Sequence, residues 1–347
     1  MNTSIENIVV TGYSAVSAAG CSVEAISELL HSGRDALTPV PENVPGGNGQ
    51  SWGKALSFKA TDFIAPLKAR KMDRCSQFAV AASGLALKDA CIDLQMIAPE
   101  RIGIALGCGF GGVANSVEFL TGYFNDGVNG LAPMLFPNTV SNAPASNASI
   151  EHGLKGPNVT LVQRFCSAES AFMMACRFIA EGRADIMLTG GADDLMPHMM
   201  VGFAATGQLH RYASCFGEGS GILVLESAKH AASRGVAVKG VVEFISTVGI
   251  LLKEHEQEGL DRLLSGTQSF DIASISGTTS DSPLLMKCIS SISSFDLSRI
   301  TGRSLAMGGI SMAVLLAALK QGQSGLHLAS SPEGPYYAIR FSGGSPV

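Results

Sequence analysis

The chain has 347 residues, 46% of them hydrophobic, enough to bury a sizeable core in one large or two ordinary domains. Its 24 basic and 29 acidic side chains leave a net charge of −5 with no long Lys/Arg block, which argues against nucleic-acid binding. The start "MNTSIENIVV" lacks the basic and apolar regions of a signal peptide, and the apolar stretch "GGISMAVLLAALKQG" is shorter than the roughly 20 residues of a membrane span, so a cytoplasmic protein is expected.

In chain order, "NIVVTGYSAVSAAG" reads as a strand feeding a Gly/Ser/Ala turn. "SVEAISELLHSG" follows with Val23, Ile26, Leu29 and Leu30 at helical spacing. The cluster "KARKMDR" (Lys68, Arg70, Lys71, Arg74) is either a solvated helix start or a face for an acidic partner such as a carrier protein. "CSQFAVAASGLALKDACID" predicts an Ala-rich amphipathic helix, "RIGIALGCGFGG" a second strand and glycine turn, and "ADIMLTGGADD" and "SGILVLES" central strands covered on both faces. From about residue 237 the pattern restarts: strand "VAVKGVVEFISTVGILLK", helix "EQEGLDRLLSG", strand "FDIASISG" and helix "GISMAVLLAALKQG". Two halves of similar order predict an α/β protein with an internal duplication. Eight cysteines, without a CxxC or Cys/His cluster, suggest neither a zinc site nor a disulfide framework, and no metal or cofactor is expected.

Cys166 stands in "TLVQRFCSAESAFMMACRFIAEG", where an apolar run meets a helical pattern. Ala168, Ala171, Met174, Ala175, Phe178 and Ile179 form one apolar helix face, which puts Cys166 at the helix N-terminus. There the free N–H groups and the helix dipole favour a thiolate and offer donors to an oxyanion. Glu169, in the first turn, competes for those donors. On its own the residue reads either as a nucleophile or as a small residue at a turn.

These motifs, together with "FPNTVSNAPASNASIEHGLKGPNVTLVQRFCSAESAF" and "CFGEGSGILVLE", resemble the ketosynthase (β-ketoacyl-[acyl carrier protein] synthase) family of the thiolase superfamily over residues 7 to 227, thinning past residue 240. The resemblance implies a thiolase-like fold, its duplicated halves forming a layered α/β/α/β/α sandwich of mostly parallel sheets, with an N-terminal half over 1–235 and a shortened C-terminal half over 236–347. It places the acyl-accepting cysteine at Cys166. The family's two histidines fall on Ser276 in "SISGTTSDS" and Arg303 in "RITGRSLAMGG", and the lysine that usually precedes the second by five positions falls on Ser298. The family uses those imidazoles to stabilise the enolate left by decarboxylation, and none of the seven histidines here lies in a motif that replaces them. Phe341 in "AIRFSGGSPV" is the nearest equivalent of the gating-turn phenylalanine. The loop before "CFGEGSG" is reduced to "RYAS". Arg164 and Phe165 replace small residues and crowd the pocket.

The pattern resembles chain-length factors, inactive ketosynthase-like subunits that pair with an active ketosynthase and shape its product tunnel in type II polyketide, polyene or fatty-acid-like elongation. The implied partners are that ketosynthase, as a heterodimer, and an acyl carrier protein, with no nucleic acid or membrane. Phe119, Phe124, Met134 and Phe136 are candidate tunnel residues, otherwise plain core. Lys68, Arg70 and Lys71 are candidate carrier-protein contacts. On this reading the chain is a condensing-enzyme homologue active only within a complex. The alternatives are a Cys166-dependent acyltransferase that needs no decarboxylation and a carrier-protein-binding scaffold.

Overall fold

The computed structural model describes residues 8–344, apart from 48, 212–214, 252, 268 and 333. The first apolar run forms β1 (Ile8–Val16), and Ser22 caps α1 (Val23–Ser32) by accepting the Ala25 N–H at 3.2 Å. A ribbon of β2 (Thr38–Pro39) and β3 (Ser51–Trp52) and the short α2 (Pro66–Ala69) lead to α3 (Arg74–Asp89), which Asp73 caps through the Ser76 N–H at 2.9 Å. The chain continues through β4 (Ile102–Gly107), α4 (Val113–Asp126), α5 (Ala143–His152), β5 (Asn158–Leu161), α6 (Ser167–Ala180) and β6 (Ile186–Asp193). Helices α7 (Pro197–Ala205) and α8 (Gln208–Arg211) precede β7 (Gly219–Ser227) and α9 (Ala228–Arg234). A second series follows: β8 (Gly240–Val248), α10 (Glu256–Leu264), β9 (Ile272–Gly277), α11 (Pro283–Cys288), β10 (Ser293–Asp296), α12 (Ser298–Thr301), α13 (Gly308–Ala318), β11 (Ser324–Ser330) and β12 (Tyr336–Gly343).

Ten strands join in the order β10-β9-β11-β12-β8-β1-β7-β6-β4-β5. The two series meet where Val9 faces Val241 and Val10 faces Gly240. On either side of that seam the order is the same, running third, second, fourth, fifth, first. The duplication suggested by element order is therefore built into the sheet. The outer strands pair in parallel (β10 with β9, β9 with β11, β5 with β4, β4 with β6), as strand–helix alternation predicts. The inner strands are antiparallel, because β7 follows β6, and β12 follows β11, without a helix that crosses back over the sheet.

Helices fill three layers around the two halves of the sheet. Phe78, Val80 and Ala82 of α3 pack outside the first half, on Ile104, Leu188 and Val224. Leu260 and Leu263 of α10 and Leu285 of α11 cover the outside of the second, on Ile275 and Leu328. Between the halves, Ala171, Phe172 and Ala175 of α6 and Met312, Val314 and Leu315 of α13 share one core with Leu225, Val242 and Phe341. The result is the α/β/α/β/α layering of a thiolase-like fold. The sequence marks α13 as the central helix, since it is apolar on every side and buried from Gly308 to Leu316.

Candidate functional site

Cys166 is carried by the turn between β5 and α6. Arg164 adopts φ 50°, a left-handed conformation unusual for a side chain of its size. The turn is tied by Ser167 Oγ, which donates to the Arg164 carbonyl at 2.7 Å and accepts the Gln163 N–H at 2.9 Å. A Cβ on Gly107, at the end of β4, would collide with the backbone of Ser167 and Ala168. Glycine there lets α6 start against the sheet.

The structure seals the thiol in. Cys166 is fully buried, packs with Ala329 and Tyr337, and donates from Sγ to the Pro335 carbonyl at 3.3 Å. Burial first, and the Glu169 carboxylate second, push the thiol pKa well above the ordinary value. The lowering expected from the helix terminus is outweighed, because desolvation penalises the thiolate more than one helix dipole stabilises it. The thiol is therefore protonated at neutral pH.

Beneath Cys166 lies a polar network that local motifs do not reveal. Ser276 Oγ on β9 donates to Glu169 Oε1 at 2.6 Å, and His327 Nε2 on β11 lies 2.9 Å from the same oxygen. His327 Nδ1 lies 2.8 Å from Ser274 Oγ, its cross-strand neighbour. All four residues are buried. A Cβ on Gly308, at the start of α13, would collide with the Glu169 carboxylate, so glycine there leaves the carboxylate its place in the network. Beside this network, Ser170 Oγ bonds Gln163 Oε1 and lies 2.8 Å from the Tyr337 hydroxyl. Burial raises the Tyr337 pKa, keeping that hydroxyl a donor.

Arg303 is 1% exposed. Its Nη1 donates to the Gly277 carbonyl and to Asp281 Oδ2, the latter at 2.8 Å, and its guanidinium lies 5.9 Å from the centre of the Phe165 ring. Cys166, Ser276 and Arg303 are thus gathered into one region. Ser276 reaches it through Glu169, and Arg303 reaches it through the loop after β9. Ser298, at the start of α12, is buried nearby in sequence to Arg303. Phe165 is buried with Phe216 and Met200, while Arg164 is exposed. A cavity of about 390 Å³ adjoins the loop, lined by Thr278, Asp281, Ser330, Pro332 and Tyr336 among others.

Other expected residues lie elsewhere. Phe341 is not in a turn. It sits inside β12, paired on both edges, with its ring fully buried 5.6 Å from that of Phe172. The turn that covers Cys166 is the β11–β12 connection with Pro335, earlier in the chain. Residues 212–214 of the "RYAS" segment and 345–347 of the tail lie outside the described residues. Phe124, Met134 and Phe136 are 79%, 72% and 64% exposed on α4 and the turns after it, with Phe119 half-buried against Phe136. They are neither core nor contacts of Cys166. Lys68, Arg70 and Lys71 are exposed around α2, Lys68 pairing with Glu151 at 2.9 Å. Arg74 leaves that cluster: its guanidinium binds Glu218 Oε1 and the Ala55 carbonyl.

Comparison with known proteins agrees with this architecture. The model of the β-ketoacyl synthase N-terminal domain matches residues 5–231. The 3-oxoacyl-[acyl-carrier-protein] synthase 2 of Vibrio cholerae serotype O1 (strain ATCC 39315 / El Tor Inaba N16961) is 30% identical over 249 residues, 67% of this chain and 60% of that protein. Its counterpart from Staphylococcus aureus (strain COL) is 28% identical over 261 residues, 70% of this chain and 63% of that protein. The matches thus span less than two thirds of those relatives. Among solved structures, a type II polyketide synthase acyl-carrier protein in complex with its hexaketide-bound ketosynthase aligns with TM-score 0.82 at 20% identity, covering 97% of this chain and 99% of that one. The ishigamide ketosynthase/chain length factor aligns with TM-score 0.79 at 22% identity, again over 97% and 99%. These two share the fold. With a family model matched over residues 5–231 and the cysteine turn inside it, the chain belongs to the β-ketoacyl synthase family.

Proposed function

We propose that this chain is a chain-length-factor-like subunit: it pairs with an active ketosynthase, shapes the growing chain's tunnel and receives substrate from an acyl carrier protein, without condensing by itself. The carrying observation is the state of Cys166, protonated and sealed under Pro335, above a network in which Ser276 is committed to Glu169 and Arg303 to Gly277 and Asp281. No imidazole stands at Ser276 or Arg303 to stabilise an enolate. His327 supplies one in the same region, but its two nitrogens are already engaged by Glu169 and Ser274.

Two surfaces support pairing. Leu120, Phe124, Val128, Met134 and Phe136 expose large apolar groups on one stretch of chain, more than isolated surface residues explain. Strand β5, at the end of the sheet, has one unpaired edge among the described residues. On this reading residues 1–235 and 236–347 are the two halves of the subunit. Exposed Lys68, Arg70 and Lys71 beside exposed Leu67 suit an acidic carrier protein.

The test is co-expression with a ketosynthase that carries the cysteine and both histidines. Light scattering after size exclusion should show a one-to-one heterodimer, and products should change length when the partner is supplied alone. A homodimer that ignores such a partner overturns the proposal, and an acyl adduct on Cys166 of the isolated chain points to acyl transfer instead.

A further inference from the structure

Away from Cys166, two sulfurs and a carboxylate converge in the outer core of the first half. Cys75 is the second residue of α3, Cys108 follows β4 directly, and Asp193 is the last residue of β6. Cys75 Sγ lies 3.7 Å from Cys108 Sγ, and Cys108 Sγ lies 3.9 Å from Asp193 Oδ1. The three ligand atoms fall within 4.8 Å of one another, and all three residues are fully buried. Cys75 and Cys108 are 33 positions apart in the chain and Asp193 a further 85, which is why no local cysteine motif announces them.

The spacing is informative. Two thiolates each about 2.3 Å from a tetrahedral ion stand about 3.8 Å apart. A disulfide needs about 2.05 Å. The surroundings are those of a ligand set rather than of inert core. The Gly109 and Phe110 N–H groups both donate to Asp193 Oδ1 at 2.8 Å, and the Gly111 N–H donates to Cys108 Sγ at 3.1 Å. Such donors orient and stabilise anionic ligands. Asp193 Oδ2 is buried without a hydrogen-bond partner among the described residues, and so is Oδ1 of neighbouring Asp194. The two basic side chains of this region, Lys54 and Arg74, are both paired with Glu218. Strands β4 and β6 are adjacent and parallel, and their carboxyl ends are where α/β sheets collect ligands.

We propose that Cys75, Cys108 and Asp193 bind one divalent cation of zinc's class, tying the start of α3 to the ends of β4 and β6. Two thiolates and one carboxylate suit a borderline-soft ion and not magnesium or calcium. Cys75 and Cys108 each lose a proton to solvent as the metal–sulfur bonds form, and nothing is oxidised or reduced. With one oxygen from Asp193, the fourth position of the tetrahedron would be taken by a water.

The full-length protein, purified without chelator and equilibrated with zinc chloride, should retain one zinc per chain by mass spectrometry of the metal. Cobalt chloride should produce a thiolate-to-cobalt charge-transfer band, and affinity should fall at least tenfold in Cys75→Ser and Cys108→Ser. Should those variants fail to fold, anomalous scattering from wild-type crystals soaked in zinc chloride must place a peak between the two sulfurs and Asp193. No retained metal with no such peak overturns the proposal. So does a cobalt band that survives in both variants, or an intact mass short of two hydrogens with Cys75 linked to Cys108.

Discussion

His327 Nε2 lies 2.9 Å from Glu169 Oε1, and neither side chain reaches solvent. The contact joins α6 of the first half to β11 of the second, directly under Cys166, and Ser276 bonds the same oxygen. Removing one member of such a network leaves the others desolvated and unpaired, at a cost of about 3–5 kcal/mol. Urea unfolding of Glu169→Ala and His327→Ala should each show a loss of about 3 kcal/mol, and the double variant should lose less than the sum. Strictly additive losses would mean that the two residues do not interact.

Cys166 follows from the same geometry. A thiol whose pKa is raised holds its proton more tightly in the folded chain than in the unfolded one, so thiolate forms only at a higher pH. Alkylation of Cys166 by iodoacetamide, followed on its own peptide, should be at least about tenfold slower at neutral pH in native than in urea-unfolded protein. The native rate should still be climbing in the alkaline range where a free cysteine has levelled off. Glu169→Gln removes one of the two causes and should speed the native reaction, leaving the larger effect of burial. Equal native and unfolded rates would rule out the sealed thiol.

The helices and strands of this fold are written locally. The spacing of Val23, Ile26, Leu29 and Leu30 reads as α1 without any tertiary knowledge, and the structure adds the Ser22 cap before it and Gly33 after it. Cys166 at the start of α6 was legible in the same way. What was not legible depends on register and on distant pairing. His327 is one histidine in a strand pattern until β11 lies beside β9 and sets it opposite Ser274. Arg74 reads as one more basic residue until Glu218, 144 positions on, draws it inward. The resemblance makes Phe341 the nearest equivalent of the gating-turn phenylalanine, whereas the pairing of β12 carries the strand through to Gly343.

Glu218 accepts from Lys54 Nζ at 2.5 Å, from Arg74 Nε at 2.9 Å, and from the Ala55 and Leu195 N–H groups, both at 3.1 Å. Its side chain is fully buried. Glu218→Ala should therefore lower stability by about 3–5 kcal/mol, since two cations and two N–H groups lose their acceptor. Arg74→Ala should cost less, because Lys54 still balances the carboxylate, although contacts with the Phe58 and Phe78 rings are lost as well. Chemical denaturation of both variants checks the ranking, and an Arg74→Ala loss exceeding that of Glu218→Ala reverses it.

The exposed face of α4 separates pairing from folding. Phe124 makes a T-shaped contact with Tyr123 and is otherwise open to solvent. Phe124→Glu should leave thermal unfolding of the isolated chain within about 0.5 kcal/mol of wild type, as for other surface changes. The same charge buried at an interface without a partner should weaken subunit association by at least about tenfold. Unchanged association would remove Phe124 from the interface, and analytical ultracentrifugation beside calorimetry checks both expectations.

Phe341 tests whether the ring near the end of the chain is a gate or a wedge. Its contact with Phe172 brings β12 of the second half against α6 of the first, inside the core that both halves share. A gate must move between two solvent-facing positions, and a ring held on both strand edges and fully buried has no second position to occupy. Phe341→Ala should cost about 3–5 kcal/mol, the usual range for a cavity left by a buried aromatic ring, and Phe341→Leu much less because most of the volume is kept. Alkylation of Cys166 in the folded Phe341→Leu protein should stay as slow as in wild type, since Pro335 and Tyr337, not Phe341, cover the thiol. A large rise in that rate with stability unchanged would restore the gating role.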